Sequence, residues 1–412
     1  MNPPPSAAGS ATATATADVV VVGAGIIGLA TAHRLLEARP GLAVVVIERE
    51  PAVGRGQSSR NSGVMHAGLY YAPGSAKARF CVAGKLELEQ FCAEHGVEVR
   101  RTGKVVAAVD RSELPALEAL AGRARTNGVE IETLGVDGVR DHEPNVHAVA
   151  GLWSPNTAVT DFGAVCVALR DVVIAAGGQV VLGTPVTGLD QDGTGVRVTT
   201  PDGTWRAGAV VTCTGLQSDR VAAMTGRRRE RRVVPFRGAW LRVRDDRADL
   251  VNGNVYPVPV GAGLPFLGVH LTRRIDGQLW VGPNAVLAAA REGRRRWSVD
   301  PTDLRDALGF VGTWRLGARF PKIAATELWR DLVVKAAMRE VRRYVPDLRD
   351  EDVTRGPWGV RAQVVDRAGH LVDDFDIRDD GRVLHLVNAP SPAATASLAI
   401  GGELAGRVLS RL

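Results

Sequence analysis

Asp18-Val19-Val20-Val21-Val22-Gly23-Ala24-Gly25-Ile26-Ile27-Gly28-Leu29-Ala30-Thr31-Ala32-His33 is an apolar strand that runs through three spaced glycines straight into a helix. The unbroken valine run suits a parallel strand covered on both faces. Gly23 allows the tight turn, Gly25 lets backbone approach a pyrophosphate, and Gly28 brings the helix close to the sheet. The helix N-terminus then offers unpaired N–H groups and a positive dipole end to phosphates. A second strand, 43–47, ends at Glu48, twenty residues beyond Gly28, where a carboxylate accepts hydrogen bonds from ribose hydroxyls. Arg49 follows at the same nucleotide end. Strand, glycines, helix, strand and acid in this register predict a dinucleotide site, and the motif alone does not separate FAD from NAD.

A chain of 412 residues with 45% hydrophobic and 23% charged residues is an ordinary globular composition long enough for two domains. The net charge is +6, and only five of the 51 basic residues are lysines. That balance does not imply nucleic acid. Two arginine clusters, 227–232 and 291–296, are either solvated surface or a docking patch for anionic lipid or an acidic partner. Residues 1–17 lack the basic and apolar regions of a signal peptide and read as a disordered leader. No stretch reaches the ~20 apolar residues of a membrane span. A cytoplasmic protein is expected, with peripheral contact at the inner membrane face as the variant that the arginine clusters would support. Cys81, Cys92, Cys166 and Cys213 lack metal-ligand or CxxC spacing and read as reduced thiols, and no histidine spacing suggests a metal.

Past the first unit comes a Gly/Ser/Arg-rich loop, 51–74, too long to be a mere connector. Helices are expected over 75–95, 112–127 and 161–176, and a strand over 97–109. The segment 209–214 is a short apolar strand that ends in Thr214-Gly215. From Arg232 to about Asp347 the character changes to short strands, many Pro and Gly, and scattered aromatics, which predicts an antiparallel-sheet domain. The nucleotide domain is then discontinuous, over 18–95, 145–232 and 350–412, with a substrate or cap domain over 96–144 and 233–349.

Three segments carry a family likeness. The first is Ser58-Ser59-Arg60-Asn61-Ser62-Gly63-Val64-Met65-His66-Ala67-Gly68-Leu69-Tyr70-Tyr71. The second comprises Pro235-Phe236-Arg237-Gly238, Tyr256-Pro257-Val258-Pro259, Pro265 to Arg274, and Gly282-Pro283-Asn284-Ala285. The third pairs Gly359-Val360-Arg361-Ala362-Gln363 with Asn388-Ala389-Pro390-Ser391-Pro392-Ala393-Ala394-Thr395. Together they resemble the L-2-hydroxyglutarate dehydrogenases and oxidases of the D-amino-acid-oxidase-like FAD superfamily, over nearly everything after residue 17.

The resemblance implies an α/β fold: an FAD-binding Rossmann-like domain joined to an antiparallel-sheet α+β substrate domain. It implies oxidation of L-2-hydroxyglutarate to 2-oxoglutarate by hydride transfer from the α-carbon to flavin N5, with oxygen or a membrane quinone taking the electrons. The substrate is a small dicarboxylate. Arginine binds carboxylate through two parallel hydrogen bonds, and Arg237 and Arg361 are the candidates, with Tyr256 as a phenolic donor. A neutral imidazole accepts a proton near physiological pH, and His66 and His270 are the candidate bases. Ser59, Asn61 and Ser62 are expected at the pyrophosphate or flavin edge, Val186 at adenine, Thr214 and Gly215 over the phosphates, and Asn388, Pro390, Ser391 and Thr395 at the flavin. Noncovalent FAD is expected. His66-Ala67-Gly68 also resembles the stretch through which dimethylglycine and sarcosine dehydrogenases bond flavin covalently. Ala239-Trp240 departs from the family picture and bears on the size of the pocket. The alternatives are an amine or amino-acid oxidase of the glycine or sarcosine oxidase kind and a glycerol-3-phosphate dehydrogenase-like enzyme.

Overall fold

The computed structural model describes residues 14–259, 268–293 and 295–412. The strand Thr14–Val22 lies inside an eight-stranded sheet, parallel to Val44–Ile47 on one side and to Gly203–Thr212 on the other. Both of its faces are covered, as its unbroken valine run requires. Val19 and Val21 pack with the helices Ile26–Ala38, Phe162–Ala175 and Ser397–Leu409, while Val20 and Val22 join a second cluster with Val45, Ile47 and Val210. The sheet continues through Gln179–Val181 at one edge and a meander, Gly188–Gln191 and Val196–Thr200, at the other. Val383–Asn388 returns the C-terminal part of the chain to it, parallel to Gly203–Thr212. Of the expected leader, 1–13 lies outside the described residues, whereas 14–17 are strand, paired with 204–207.

A nine-stranded second sheet runs Val286–Leu287, Arg232–Val243, Leu279–Gly282, His270–Arg273, Asn254–Pro257, Lys104–Ala108, Ala150–Ser154 and Glu132–Leu134, with Val353–Val365 paired to Arg232–Val243. Its neighbours are antiparallel except for Asn254–Pro257 against Lys104–Ala108, which are parallel. Two strands therefore sit outside the domain ranges expected for them. Ala150–Ser154 and Val353–Val365 fall within 145–232 and 350–412, yet both hydrogen-bond into the second sheet. The strand expected over 97–109 is broken at Gly103, whose φ of 63° only glycine adopts readily. Val99–Arg101 pairs in a small third sheet, and Lys104–Ala108 in the second.

The segment read as short strands also holds four helices, Pro301–Leu308, Val311–Arg319, Pro321–Leu332 and Val334–Val341. Their start was legible. Asp300 caps the first helix by accepting a hydrogen bond from Asp303 N, and Pro301 occupies the first turn.

Candidate active site

Between the two sheets runs a cleft of ≈1840 Å³. Its nucleotide end is built by the first strand, turn and helix. Gly23 has φ 106°, and a Cβ there would lie 2.6 Å from Cys213 O. At Gly28 a Cβ would lie 1.9 Å from Gly23 O, so only glycine lets this helix seat on the turn. Glu48 accepts a hydrogen bond from Ala24 N at 2.7 Å and from Glu50 N at 2.9 Å, which fixes the acid at the strand end. Gly25, Glu48, Arg49 and Val186 line this end, and Thr214 and Gly215 cross it. Thr214 Oγ1 is buried without a hydrogen-bond partner. A glycine cradle at a helix N-terminus and an orphaned buried hydroxyl beside it fit a pyrophosphate. The residues present fit FAD.

The Gly/Ser/Arg loop lies across that helix terminus. Ser58, not Ser59, reaches it: Ser58 Oγ accepts from Ile26 N at 3.0 Å, while Ser59 is exposed and off the cleft. Asn61 lines the cleft and also ties the loop to itself, donating to Ser58 O at 2.8 Å and accepting from Gly63 N at 2.9 Å. Ser62 lies beside it in the lining.

The reacting end is made where the loop meets the second sheet. His66, Tyr70, Trp240, Tyr256, His270 and Arg361 all line it. The His66 backbone is held by Thr395, whose Oγ1 accepts from His66 N at 3.1 Å. His270 stacks on Tyr256 with ring centroids 4.1 Å apart, and Trp240 meets it edge-on at 6.0 Å. The large residue that departs from the family picture thus forms a wall of the histidine's niche. His270 Nδ1 lies 3.0 Å from Gly268 O. A carbonyl only accepts, so Nδ1 carries the proton and Nε2 keeps its lone pair. Burial, together with Arg361 and Lys104 and despite the Gly268 bond, lowers His270 to about 3. Burial first, then Lys104 and His270, lowers His66 to about 3 as well. Both imidazoles are therefore neutral at neutral pH, each keeping a ring lone pair, while the same burial disfavours the charged ring.

Lys104 is the residue that the sequence reading passed over. It is fully buried behind this wall, its Nζ 4.7 Å from the Tyr70 ring centre and 5.0 Å from that of Tyr256. The signal was present: it is one of five lysines and stands alone in an apolar strand.

Three expected site residues lie elsewhere. Ser59 is displaced by its neighbour, as above. Asn388 is buried off the cleft, donating to the carbonyls of Val372 and Asp374 at 2.8 and 2.9 Å, and so pins a loop. Arg237 pairs in register with Val360, one step out of phase with the Phe236–Arg361 pair, so its side chain leaves on the opposite face of the strand from Arg361. There it meets buried Asp331 at 2.6 Å. Pro390, Ser391 and Thr395 do line the cleft.

Most of the arginine clusters are paired, with Arg228 and Arg295 left exposed. Arg291 is buried against Asp219 at 2.5 Å and Asp306 at 2.8 Å, and Arg229 and Arg232 bind the same Asp306. Arg227 and Arg231 pair with Asp380 and Asp376, and Arg296 with Asp331. Arg294 lies outside the described residues. Among the described residues no helix is long and apolar enough to cross a membrane.

A family model described as FAD dependent oxidoreductase matches residues 18–407. The chain is 41% identical to the mitochondrial L-2-hydroxyglutarate dehydrogenase of Caenorhabditis elegans, covering 96% of this chain and 93% of that one. It is 38% identical to the mitochondrial L-2-hydroxyglutarate dehydrogenase of Homo sapiens, over 96% and 89%, and 37% identical to the L-2-hydroxyglutarate dehydrogenase of Escherichia coli strain K12, over 96% and 94%. Among solved structures it is similar to an FAD-bound L-alpha-glycerophosphate oxidase from Mycoplasma pneumoniae, with a TM-score of 0.76 at 24% identity over 96% of this chain and 95% of that chain. A glycine oxidase from Bacillus cereus shares the fold at 15% identity, with a TM-score of 0.71 over 96% of each.

Proposed function

The chain belongs to the L-2-hydroxyglutarate dehydrogenase family of FAD-dependent oxidoreductases, and on that premise we propose that it oxidises L-2-hydroxyglutarate to 2-oxoglutarate with His270 as the base. The observation that carries the assignment is the tautomer. The Gly268 carbonyl holds the proton on Nδ1 and leaves Nε2 to take the substrate's hydroxyl proton. FAD, when bound, supplies the two-electron acceptor for the α-hydrogen and its electron pair. The first sheet then serves the cofactor and the second the substrate. Arg361, half-buried in the cleft lining near Tyr256, receives a carboxylate, and the Tyr256 phenol is the neighbouring donor. His66, fixed through Thr395, orients the reacting carbon and excludes water.

FAD is held noncovalently in this reading, and acid precipitation that leaves a colourless pellet agrees with it; a yellow pellet would show a covalent link, and a His66→Ala variant would test whether His66 carries it. Oxygen or a quinone reoxidises the enzyme, and the relative reoxidation rates in rapid mixing assign which. The reaction itself is tested by anaerobic mixing with L-2-hydroxyglutarate, D-2-hydroxyglutarate, glycine, sarcosine and glycerol 3-phosphate in turn. Loss of yellow colour with the L-diacid alone is the expected result. Bleaching by an amine and not by the L-diacid would overturn the proposal.

A further inference from the structure

Lys104 Nζ, Tyr70 Oη and His66 Nδ1 are buried without hydrogen-bond partners, and they belong to one neighbourhood of the reacting end. Buried polar groups are nearly always paired; His66 and Tyr70 line the cleft, where a polar ligand can answer them, whereas Lys104 stands behind the lining with its charge unanswered by the protein. A buried ammonium is the costliest of them to leave unanswered. The reaction proposed above brings a dianion into this cleft, whereas one of the two arginines expected to meet it, Arg237, is committed to Asp331. Among the described residues Lys104 is a buried cation beside this wall with no carboxylate bonded to it, and it can supply a second positive charge.

We propose that Lys104 is a specificity-determining, positioning residue for diacids: its ammonium, seated against the Tyr70 and Tyr256 rings, supplies the positive charge opposite the substrate's distal carboxylate. It acts through those two rings, which line the cleft while Lys104 stands behind them. In a site of low dielectric a charge one ring-width away is felt strongly. Arg361, in the cleft lining, faces the carboxylate next to the reacting carbon.

The groups around Lys104 make this readable by pH. Burial, only partly opposed by the Cys81 thiol, brings Lys104 down to about 7. Of its neighbours, His66 and His270 lie at about 3 and Cys81 at about 12, each through burial first. Burial also raises Tyr70 well above its ordinary value, and raises Tyr256. Arg361, though lowered by burial, remains a guanidinium. Between about pH 6.5 and 9 Lys104 is therefore the member that changes charge. An anion binds best to the charged form, so affinity is full below the free-state pKa and falls as pH rises through it.

The inference rests on the diacid reading, and its test is chosen so that the two fail separately. Glutarate, which cannot be oxidised at a hydroxyl, is titrated into the FAD-loaded enzyme and followed by perturbation of the flavin spectrum, beside butyrate as the monoacid. In the wild type the glutarate dissociation constant should be lowest near pH 6.5 and rise above pH 7 by up to about tenfold per unit. Lys104→Met should weaken glutarate on the order of 30-fold at pH 6.5, flatten the pH dependence, and leave butyrate unchanged. A wild-type profile that is flat across the range overturns the proposal even where the variant does not load FAD. So does a pH slope that survives in Lys104→Met, or an equal loss for butyrate. Failure of L-2-hydroxyglutarate to reduce the flavin sinks the reaction reading and leaves the glutarate result standing.

Discussion

Two buried groups of cations flank the second sheet, and they differ in what answers them. Arg291 sits at 1% exposure with Asp219, Asp303 and Asp306 around it, and Arg237 at 6% against Asp331. Burial alone would raise Asp219, yet its bonds to Arg291 and Arg229 hold it below its ordinary value. These pairs neutralise one another and brace the fold. Lys104, equally buried, has aromatic rings in place of carboxylates, and it lies among imidazoles kept neutral. Positive charge closed inside the protein is structure; positive charge left uncompensated beside a cleft is recognition.

The steepest way to break that comparison is at the base. His270→Gln should lower kcat by about 10²–10⁴-fold while FAD stays bound, because proton acceptance is lost and the niche is kept. A kcat within about threefold of wild type would remove His270 from the chemistry. Next comes the braced region. Arg291→Met leaves buried Asp219 with Arg229 as its remaining arginine and should cost about 3 kcal/mol in denaturant unfolding, whereas Lys104→Met, which takes no partner from a carboxylate, should be near neutral. Equal losses would erase the distinction.

How much of this was legible depends on distance along the chain. Gly23, Gly25, Gly28 and Glu48 belong to one contiguous strand, turn, helix and strand, and that local order is readable from the sequence directly. Arg237 and Arg361 looked equivalent, because each stands in a Pro/Gly-marked strand and nothing local reports which pleat face turns to the cleft. That phase is set by pairing across more than a hundred residues, with an irregularity between Ala239 and Leu241. Ser58 and Ser59 differ by one position in a loop whose path only the helix terminus decides. The arginine clusters read as exposed charge because the fold, not the local sequence, decides the pairing: Asp376 and Asp380 lie far off along the chain, and Arg291 and Arg229 cross over to share Asp219 and Asp306. Lys104 was visible as a charge in an apolar run, but Tyr70 and Tyr256, which give it meaning, were not adjacent.

Smaller effects sharpen the same contrast. Arg361→Met should raise KM for the diacid on the order of 10²-fold, while Arg237→Met should leave KM unchanged and lower only stability. Steady-state kinetics beside thermal unfolding separates the two. Ser58→Ala should cost about 1 kcal/mol through the lost bond to Ile26 N and weaken FAD, and Ser59→Ala should do neither.

If the cleft is charged for a diacid, the ratio of kcat/KM for L-2-hydroxyglutarate to that for L-2-hydroxyvalerate, its counterpart without the distal carboxylate, reports that charge at the reaction itself. A preference of at least about 10³-fold for the diacid is expected. Equal efficiency on the two acids would contradict it.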